Sequence, residues 1–569
     1  MSDRMILSSR FNDRFWLATA LLVGSGVYVA YLLTHTHPAY EGGLYLQFVE
    51  EIIQNGYALP ERIPYYLTGG IPFAYPPLVF YLIAIVTDVT GVDPVALELY
   101  APGAIAIVYL IPFYYLAKEL VGSPQTAGIG TMLFAVTPPV LRWHISAGGI
   151  VRAVAVLFTL LGMYVGVKLF QSGDRRWVLF GTVLFSLTML THPVYTVFFG
   201  GSYLLLFVFY DRTWRGLLAG AVVAIGGIVL TAPWWVQVVT THGLDIYLSA
   251  SGTHTGLFGG PDRLASQFVY PIWDMDIVTP FYVVAFAGGV YALFRRRYFL
   301  PTWMVLASYV IGKQRFTFVA GSILSALLIV EVIVPAISVT VNNLSVPVPT
   351  GYKKFISIGL AIIFVIGAVG TGIGFAGSEL TTVHDDSRTQ PQTVDDDDLR
   401  AVEWIKNDTG PNETFVVLSD AAEWVPYYSE RTVILSPWGA EWTTTSGYYT
   451  EYELFRDIAT CSNVNCLNVL FGLSDRHPDY VYIPRDVYTV HGDEYSANPR
   501  LFHSMNASER YSLQYKNPGV AVFELTNADT DTSVPNGSNT TGSNTTGSNT
   551  TSNRSLLLND QPITYRGSG

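Results

Sequence analysis

The stretch VIGKQRFTFV (residues 310–319) places a lysine and an arginine between two long apolar runs. We interpret the flanking runs, 299–311 and 316–340, as membrane spans. A charge near the bilayer centre costs about 2.5–3.5 kcal/mol on insertion scales, and a charge near the interface costs far less. Lys313 and Arg315 therefore indicate either a binding function or two side chains that snorkel to the membrane surface.

The overall composition is that of a polytopic membrane protein. Of the 569 residues, 50% are hydrophobic and 13% are charged, and the mean hydropathy is +0.34. The first apolar run follows a basic start and is too long for the core of a signal peptide, so we expect it to be retained. Eleven spans are predicted: 15–34, 97–117, 125–141, 148–170, 177–190, 194–210, 215–238, 280–294, 299–312, 316–340 and 355–377.

The basic residues orient these spans. Positive side chains concentrate in inner loops, and a cytoplasmic N-terminus puts the following residues inside: Lys118, Lys168, Arg175, Arg176, Arg212, Arg215, Arg295, Arg296, Arg297, Lys353 and Lys354. Segment 76–90 is apolar but interrupted by Asp88, and we expect a juxtamembrane helix there. A full span at 76–90 would reverse everything after it. The chain is thus expected in the cell membrane, multi-pass, with its C-terminal domain extracellular.

A water-soluble body follows the membrane body of residues 1–377. Residues 1–377 hold 20 Lys and Arg against 17 Asp and Glu, whereas residues 378–569 hold 12 against 27. An acidic, lysine-poor balance is typical of salt-adapted proteins. Residues 531–569 are predicted to be a disordered, sequon-rich tail. For 378–530 we predict an α/β domain, with helices at 395–407, 421–429 and 448–460, strands at 414–419, 432–436 and 479–484, and a closing hairpin at KNPG (516–519).

Sequons and cysteines fit an extracellular location for this domain. The sequons begin at Asn407, Asn412, Asn506, Asn536, Asn539, Asn544, Asn549 and Asn553. They have meaning where a glycosylation machinery reaches them, although a tail rich in Ser, Thr and Asn also matches by composition alone. Cys461 and Cys466 are the only cysteines. Two cysteines without a nearby histidine make half a zinc site, so a local disulfide is favoured.

Polar residues of the membrane body collect on the outer side. Arg142 and Arg152 flank the loop LRWHISAGGIVRA (141–153), and Asp274 and Asp276 form a D-x-D pair in the glycine- and serine-rich loop 239–278. All six histidines of this body also fall outside: His35, His37, His144, His192, His242 and His254. Any one of these residues is more often an interface anchor or a structural group. Together they indicate a polar active cavity that opens at the outer leaflet.

The first outer loop, residues 35–96, contains a predicted amphipathic helix in EGGLYLQFVEEIIQNGYAL (41–59). Its apolar residues recur at helical spacing, so the helix is expected to lie along the membrane surface. Glu50 and Glu51 fall on the wet face. Glu41 differs because it stands at the helix start, directly after the first span, and is followed by two glycines.

Several segments, in chain order, resemble the GT-C glycosyltransferases. Nearest are the archaeal and bacterial oligosaccharyltransferases and their relatives that use polyprenyl-phosphate sugars. HPAYEGGLYLQFVEEIIQNG (37–56) resembles the first outer loop of that family, and KQRFTFV (313–319) is similar to its late arginine–phenylalanine element. The resemblance implies a GT-C-like polytopic α-helical membrane protein of about eleven spans with a C-terminal extracytoplasmic α/β domain.

The resemblance also implies roles for individual residues. Glu41 is the expected catalytic base, and Arg315, with Lys313 beside it, is expected to bind the lipid phosphate. Arg152 is a second catalytic candidate that can neutralise charge. The remaining candidates for sugar or phosphate contacts are His37, His144, His192, Asp274 and Asp276. The competing interpretations are a helix-capping carboxylate for Glu41 and snorkelling for the cations.

Two departures from the family narrow the expected reaction. SAGGIVR (146–152) stands where oligosaccharyltransferases carry an acidic D-x-E pair, and LSDAAEWVPYY (418–428) occupies the region of their W-W-D-Y-G acceptor motif. Metal-independent transfer of one sugar from a polyprenyl (dolichyl) phosphate therefore fits better than transfer of a whole oligosaccharide. A divalent metal, Mg²⁺ or Mn²⁺, remains an alternative, and no other cofactor is expected.

The expected partners are the lipid-linked sugar donor, a glycan or glycoprotein acceptor and the lipid bilayer, and no nucleic acid. One alternative is an oligosaccharyltransferase with diverged motifs. Another is a flippase-like or non-catalytic membrane protein of the same glycosylation pathway. A transporter should carry polar residues at mid-membrane and paired repeats of broken spans, which the sequence does not show.

Overall fold

The computed structural model describes residues 9–146, 148–253, 261–273, 278–343, 359, 362–363, 366–376 and 392–526. Up to residue 376 the chain is mainly helical. The helices are α1 (Ser9–Thr34), α2 (Gly43–Gln54), α3 (Leu78–Thr90), α4 (Pro94–Val121), α5 (Pro124–Val136), α6 (Pro138–His144), α7 (Gly149–Ser172), α8 (Arg176–Met189), α9 (Pro193–Tyr210), α10 (Trp214–Leu230), α11 (Ala232–His242), α12 (Asp245–Gly252), α13 (Pro261–Phe268), α14 (Tyr270–Trp273), α15 (Thr279–Phe294), α16 (Phe299–Ile311), α17 (Gln314–Leu328) and α18 (Val334–Asn343).

Helices occupy each of the first ten predicted spans, and residues 366–374 are helical within the eleventh. By length and composition, five helices of the described chain can cross a membrane, or six if the bent pair α10–α11 counts as one span. The segment predicted as a juxtamembrane helix forms α3, whose 13 residues are fewer than a span requires.

Two predicted spans are not continuous helices. Span 125–141 breaks between α5 and α6, where Thr137 is extended (ψ 116°) ahead of Pro138 and Pro139. A proline disfavours helical geometry in the residue before it and donates no N–H, which explains the break. Span 215–238 divides into α10 and α11, which meet at an angle of 59°. The outer loop 239–278 likewise contains the short helices α12 to α14.

Ion pairs mark the end of the bundle opposite to Glu41. Lys118 Nζ lies 2.7 Å from an Asp13 carboxylate oxygen near the start of α1, and Lys168 Nζ lies 2.6 Å from Glu119. Because α1 has 26 residues, its two ends are about 39 Å apart. Two cations that the sequence assigns to inner loops therefore have acidic partners at the end remote from the histidine-rich side.

Residues 392–526 form an α/β domain. Its helices are α19 (Asp396–Asp408), α20 (Val425–Ser429), α21 (Thr445–Ala459), α22 (Val464–Ser474) and α23 (Pro499–Asn506). Its strands are β3 (Thr414–Val417), β4 (Thr432–Val433), β5 (Tyr480–Pro484), β6 (Val487–Val490), β7 (Asp493–Ser496), β8 (Tyr511–Lys516) and β9 (Val520–Leu525). Five of them make one sheet in the order β4-β3-β5-β9-β8, with β3 parallel to both neighbours. A disulfide joins Cys461 to Cys466.

The first outer loop packs directly against this sheet. The loop contains a small ribbon, β1 (Arg62–Ile63) and β2 (Ile71–Pro72). Between these strands, Tyr66 pairs with Val433 on the edge strand β4. The Leu67 N–H donates to the Val433 carbonyl, and the Val433 N–H donates to the Tyr65 carbonyl, both at 2.9 Å. The edge of the sheet is thus covered, and the α/β domain is held over the loop that contains Glu41.

Candidate active site

Glu41 and Arg152 form an ion pair at the end of the helical body that packs against the α/β domain. An Arg152 Nη2 donates to Glu41 Oε2 at 3.1 Å, and the two side chains are 10% and 20% exposed, respectively. Glu41 lies between α1 and α2, and Arg152 lies in the first turn of α7. The pair thus combines a carboxylate and a fixed positive charge in a largely water-excluded place, where electrostatic interactions are strong.

Gly148 allows α7 to approach Glu41 this closely. Its N–H donates to the Glu41 carbonyl at 2.8 Å, and its φ of +69° is in the left-handed region. A Cβ at this position would lie 2.2 Å from the ring of Tyr45 and 3.1 Å from Arg152 Nη1. The SAGGIVR segment therefore provides a tight turn and a guanidinium at the place where the resembling family carries acidic residues.

Trp143 stands between two arginines. The Arg152 guanidinium carbon lies 4.9 Å from the centre of the indole ring, and that of Arg315 lies 5.1 Å from it. Arg315, near the start of α17, also contacts the rings of Tyr195 and Phe316 at 5.6 and 5.3 Å. Planar guanidinium groups stack on aromatic faces, which holds both cations in place near each other.

These arginines retain unused hydrogen-bond donors. Arg152 Nε and Nη1 and Arg315 Nε are buried, and none has a hydrogen-bond partner among the described residues. The side chain of Lys313, two residues before Arg315, makes no hydrogen bond or ion pair within the part of the chain that the structure describes. Of these basic side chains, Arg152 is paired with a carboxylate, that of Glu41. Several buried N–H donors thus remain for an anion.

The loop that carries Lys313 is fixed from α13. The Arg263 guanidinium donates to the Val310 carbonyl at 3.0 Å, and the Gln267 amide donates to the Gly312 carbonyl at 3.1 Å. Gly312 has φ +66° and would place a Cβ 2.8 Å from Arg263. This packing holds the turn between α16 and α17, and with it Lys313, close to Arg315.

The histidines make protein contacts. His144 is buried, with Nε2 2.7 Å from the Tyr195 hydroxyl and Nδ1 3.3 Å from the Tyr109 hydroxyl. His192 Nδ1 accepts the Val194 N–H at 3.3 Å and so caps α9. Because Tyr195 also packs against Arg315, His144 and Tyr195 connect to the arginine cluster.

His37 contacts the α/β domain. Its Nε2 lies 2.8 Å from the Tyr428 hydroxyl, and its ring packs edge-on against Trp424 at 4.4 Å. Burial lowers the pKa of His37 to about 4, so the ring is neutral at pH 7. Asp274 and Asp276, the predicted D-x-D pair, lie outside the described residues.

Among the described residues, Glu41 is paired with a cation and is not grouped with two further metal-ligating side chains. Within the described ranges, no group of three His, Cys, Asp or Glu side chains is placed to hold a metal ion. The Glu41 carboxylate instead engages Arg152. Mg²⁺ and Mn²⁺ prefer several oxygen ligands, and the side chain that replaces the acidic pair is a cation.

Sequence reasoning missed several neighbours of this cluster. Trp143 is present in the loop 141–153 of the sequence, but its contact with two arginines depends on α6 packing against both α7 and α17. Trp442, from the α/β domain, packs against Tyr75 with ring centres 5.8 Å apart. Burial raises the pKa of the adjacent Glu441 to about 7, and Glu41 and Arg152 also act on this carboxyl electrostatically. The α/β domain therefore borders the site.

A narrow apolar gap adjoins the arginine end of the cluster. It is lined by His144, Val156, Thr159, Leu160, Tyr195, Phe198, Arg315, Phe316 and Val319.

The fold of this chain, a helical body with a polar cluster beneath an α/β domain, is similar to that of several solved glycosyltransferases, which supports the resemblance seen in the sequence at the level of fold. The Archaeoglobus fulgidus oligosaccharyltransferase matches with a TM-score of 0.55 and 12% identity over 84% of this chain and 70% of that chain. ArnT from Cupriavidus metallidurans, solved with undecaprenyl phosphate, matches with a TM-score of 0.50 and 14% identity over 90% and 97%.

A third solved structure is a mutant of the mycobacterial arabinofuranosyltransferase AftD. It matches with a TM-score of 0.52 and 13% identity over 90% of this chain and 41% of that chain. No protein-family model matches the sequence, and a search of curated proteins finds no match. The likeness is therefore one of fold.

Proposed function

We propose that this protein is a membrane glycosyltransferase that moves a sugar from a polyprenyl- or dolichyl-phosphate donor to a glycan or glycoprotein acceptor on the outer face of the membrane. The observation that supports this most strongly is the Glu41–Arg152 pair next to the Arg152–Trp143–Arg315 stack. The similar ArnT was solved with undecaprenyl phosphate, and an archaeal oligosaccharyltransferase was solved with a dolichol phosphate and an inhibitory peptide.

In the proposed reaction an acceptor hydroxyl attacks the anomeric carbon of the donor sugar. The new bond joins the acceptor oxygen to that carbon, the bond from carbon to phosphate oxygen breaks, and Glu41 takes the hydroxyl proton. The leaving lipid phosphate gains negative charge, which Arg315 and Lys313 stabilise. Arg152 orients Glu41 and adds positive charge where the family carries metal ligands.

The second candidate is an oligosaccharyltransferase with diverged motifs, which the match to the archaeal enzyme favours. Against it, Trp424 in the acceptor-motif region is 1% exposed, and its indole N–H donates to the Tyr40 carbonyl at 2.9 Å. A side chain that is buried and hydrogen-bonded within the protein is unavailable to an acceptor peptide.

Deletion of the gene and mass spectrometry of surface glycopeptides separate the candidates. The single-sugar transferase predicts glycans that lack one sugar, and the oligosaccharyltransferase predicts loss of whole glycans. If the protein is flippase-like, its deletion would make lipid-linked sugar accumulate on the inner leaflet. An unchanged glycan profile would contradict all three candidate functions.

Arg315→Lys in the complemented strain tests the phosphate role. Lysine keeps the charge but loses the planar fork and the stack on Trp143, so we expect about 10- to 100-fold weaker binding of a short-chain prenyl phosphate, measured by calorimetry. Arg175→Ala, at an exposed inner-loop position, is the matched control. Wild-type affinity in Arg315→Lys would contradict the proposed role.

A further inference from the structure

The first turn of α2 is capped by the α/β domain. The Glu423 carboxylate accepts the N–H groups of Gly42, Gly43 and Leu44 at 3.0–3.1 Å. Gly42, the N-cap residue of α2, has no side chain to satisfy these donors. The first N–H groups of a helix lack partners within the helix, so acceptors from elsewhere must satisfy them. A residue 381 positions away in the chain thus replaces the missing local cap.

The residue before Glu41 is held by the same domain. Tyr40 adopts φ +64°, a left-handed conformation that a bulky aromatic residue rarely takes. Its carbonyl accepts the Trp424 indole N–H at 2.9 Å and the Thr393 hydroxyl at 3.3 Å. Such a conformation persists only where the surroundings enforce it. Hydrogen bonds from outside the loop therefore hold the backbone immediately before Glu41.

The two glycines after Glu41 make this contact possible. A Cβ on Gly42 would lie 2.8 Å from the Trp424 ring, and a Cβ on Gly43 would lie 2.6 Å from the Glu423 carbonyl oxygen. In addition, the Tyr66 hydroxyl donates to the Glu423 carbonyl at 2.5 Å. Gly42 and Gly43 therefore let the backbone of the loop pack directly against Glu423 and Trp424 of the α/β domain.

Neither Glu423 nor Trp424 is accessible to a substrate. Their exposures are 2% and 1%. What they hold is the backbone on both sides of Glu41, whose own carbonyl is fixed from a third direction by Gly148. Their effect on the chemistry must therefore pass through the position of Glu41.

We propose that Glu423 and Trp424 are positioning residues that set the Glu41 carboxylate against Arg152, so that the α/β domain completes the catalytic centre. This rests on the proposed function, because it assigns Glu41 its task as base. Catalytic groups lose activity steeply when displaced, and a shift of about 1 Å costs on the order of 100-fold.

The test uses the full-length protein in lipid nanodiscs with Glu423→Ala, Trp424→Phe and the control Glu403→Gln, an exposed carboxylate of the same domain. Hydrogen exchange of the amides at 42–48 is measured first. We expect faster exchange there in Glu423→Ala while peptides from β3, β5 and β9 keep wild-type protection, which shows that the domain is folded. Unchanged exchange at 42–48 would overturn the capping role.

Transfer kinetics then test positioning. We expect kcat to fall about 100-fold in Glu423→Ala, with the KM for donor unchanged, and a smaller fall in Trp424→Phe, which keeps the packing but loses one hydrogen bond. Faster exchange at 42–48 with wild-type kcat would overturn the positioning role. Absence of transfer by the wild-type protein would instead refute the proposed function. The hydrogen-exchange result would still show whether Glu423 caps α2.

Discussion

The roles of Arg152 and Arg315 depend on the planar shape of the guanidinium group as much as on its charge. Both guanidinium groups lie against Trp143, and both keep buried N–H donors without partners among the described residues. Two cations in a water-poor place favour an anion nearby, because electrostatic attraction is stronger there than in water. The sequence could show Arg315 through its position in a family motif, but not the shared aromatic ring.

Glu423 shows the limit of sequence reasoning at this scale. Glu41 stands out locally because it follows a span and precedes two glycines. Glu423 lies in a segment that occupies the region of the family's acceptor motif without matching it, and its role depends on contacts 381 positions away. Single sequences carry no signal for such a long-range hydrogen bond. The sequence shows Gly42 and Gly43, but it does not show that they make room for Glu423 and Trp424.

Buried acids predict how stability depends on pH. Burial raises the pKa of Glu423 to about 8, and the pKa values of Glu441, Asp398 and Asp420 to about 7, 7 and 6. Acids with raised pKa values bind more protons when folded, so their contribution falls as pH rises from about 4 to 8. Burial lowers the pKa of His491 to about 4, so its contribution instead rises between about pH 4 and 6.5.

Above pH 6.5 the contribution of these acids keeps falling, whereas that of Lys313, whose pKa burial lowers to about 7, rises. Comparison with a variant isolates the share of Glu423. We expect the Tm of Glu423→Gln, which cannot ionise, to rise relative to that of the wild-type full-length protein between pH 6.5 and 8.5, whereas Glu403→Gln should follow the wild type. The measurement is a thermal melt followed by tryptophan fluorescence across that range. A Tm difference between Glu423→Gln and wild type that stays constant over this range would contradict the assignment.

At the scale of the element, proline and glycine decide where helices break and meet. The apolar pattern predicted the helices of the first ten spans and α3, because hydrophobic runs are visible without partners. It did not predict the break before Pro138 or the bend between α10 and α11, since apolar composition continues across both, and it missed the short helices α12 to α14 in the loop 239–278. In the α/β domain, the sequence analysis also missed the hairpin of β6 and β7 and the helices α22 and α23, whose segments are too short to show a clear period.

Gly148→Ala should impair the site at the start of α7. The left-handed backbone costs about 1–2 kcal/mol, and the overlap with Tyr45 adds roughly 1–3 kcal/mol. Gly173→Ala is the matched control, because Gly173 has φ +67° at the other end of α7 with nothing within 4 Å of its Cβ. Thermal melts and transfer assays should show a larger loss for Gly148→Ala, and equal losses would place the cost in the backbone alone.

For the whole molecule, the distribution of basic residues predicts the orientation of the helices in the membrane, and the geometry of the bundle is consistent with it. Lys118 and Lys168 lie at the end of the helices remote from Glu41, Arg152 and Arg315. The charge pattern can be seen in the sequence because it depends on no tertiary contact. The contact between the loop 35–96 and β4 could not be predicted, because neither segment alone shows that it needs the other.

Cysteine labelling tests this orientation. Both native cysteines are in a disulfide, so the chain has no free thiol. We expect Asn412→Cys, exposed in the α/β domain, to react with a membrane-impermeant maleimide on intact cells, and Arg296→Cys, exposed between α15 and α16, to react only after lysis. The reverse pattern would invert the topology.

The cap on α2 also has a consequence for the order of synthesis. The loop with Glu41 leaves the ribosome long before Thr393 and Trp424, and the carbonyl of the left-handed Tyr40 has no donor for these two hydrogen bonds until both residues are made. A chain truncated after the membrane body would lack the groups that hold the backbone on both sides of Glu41. On the proposed function, catalysis therefore requires synthesis to proceed at least through residue 424.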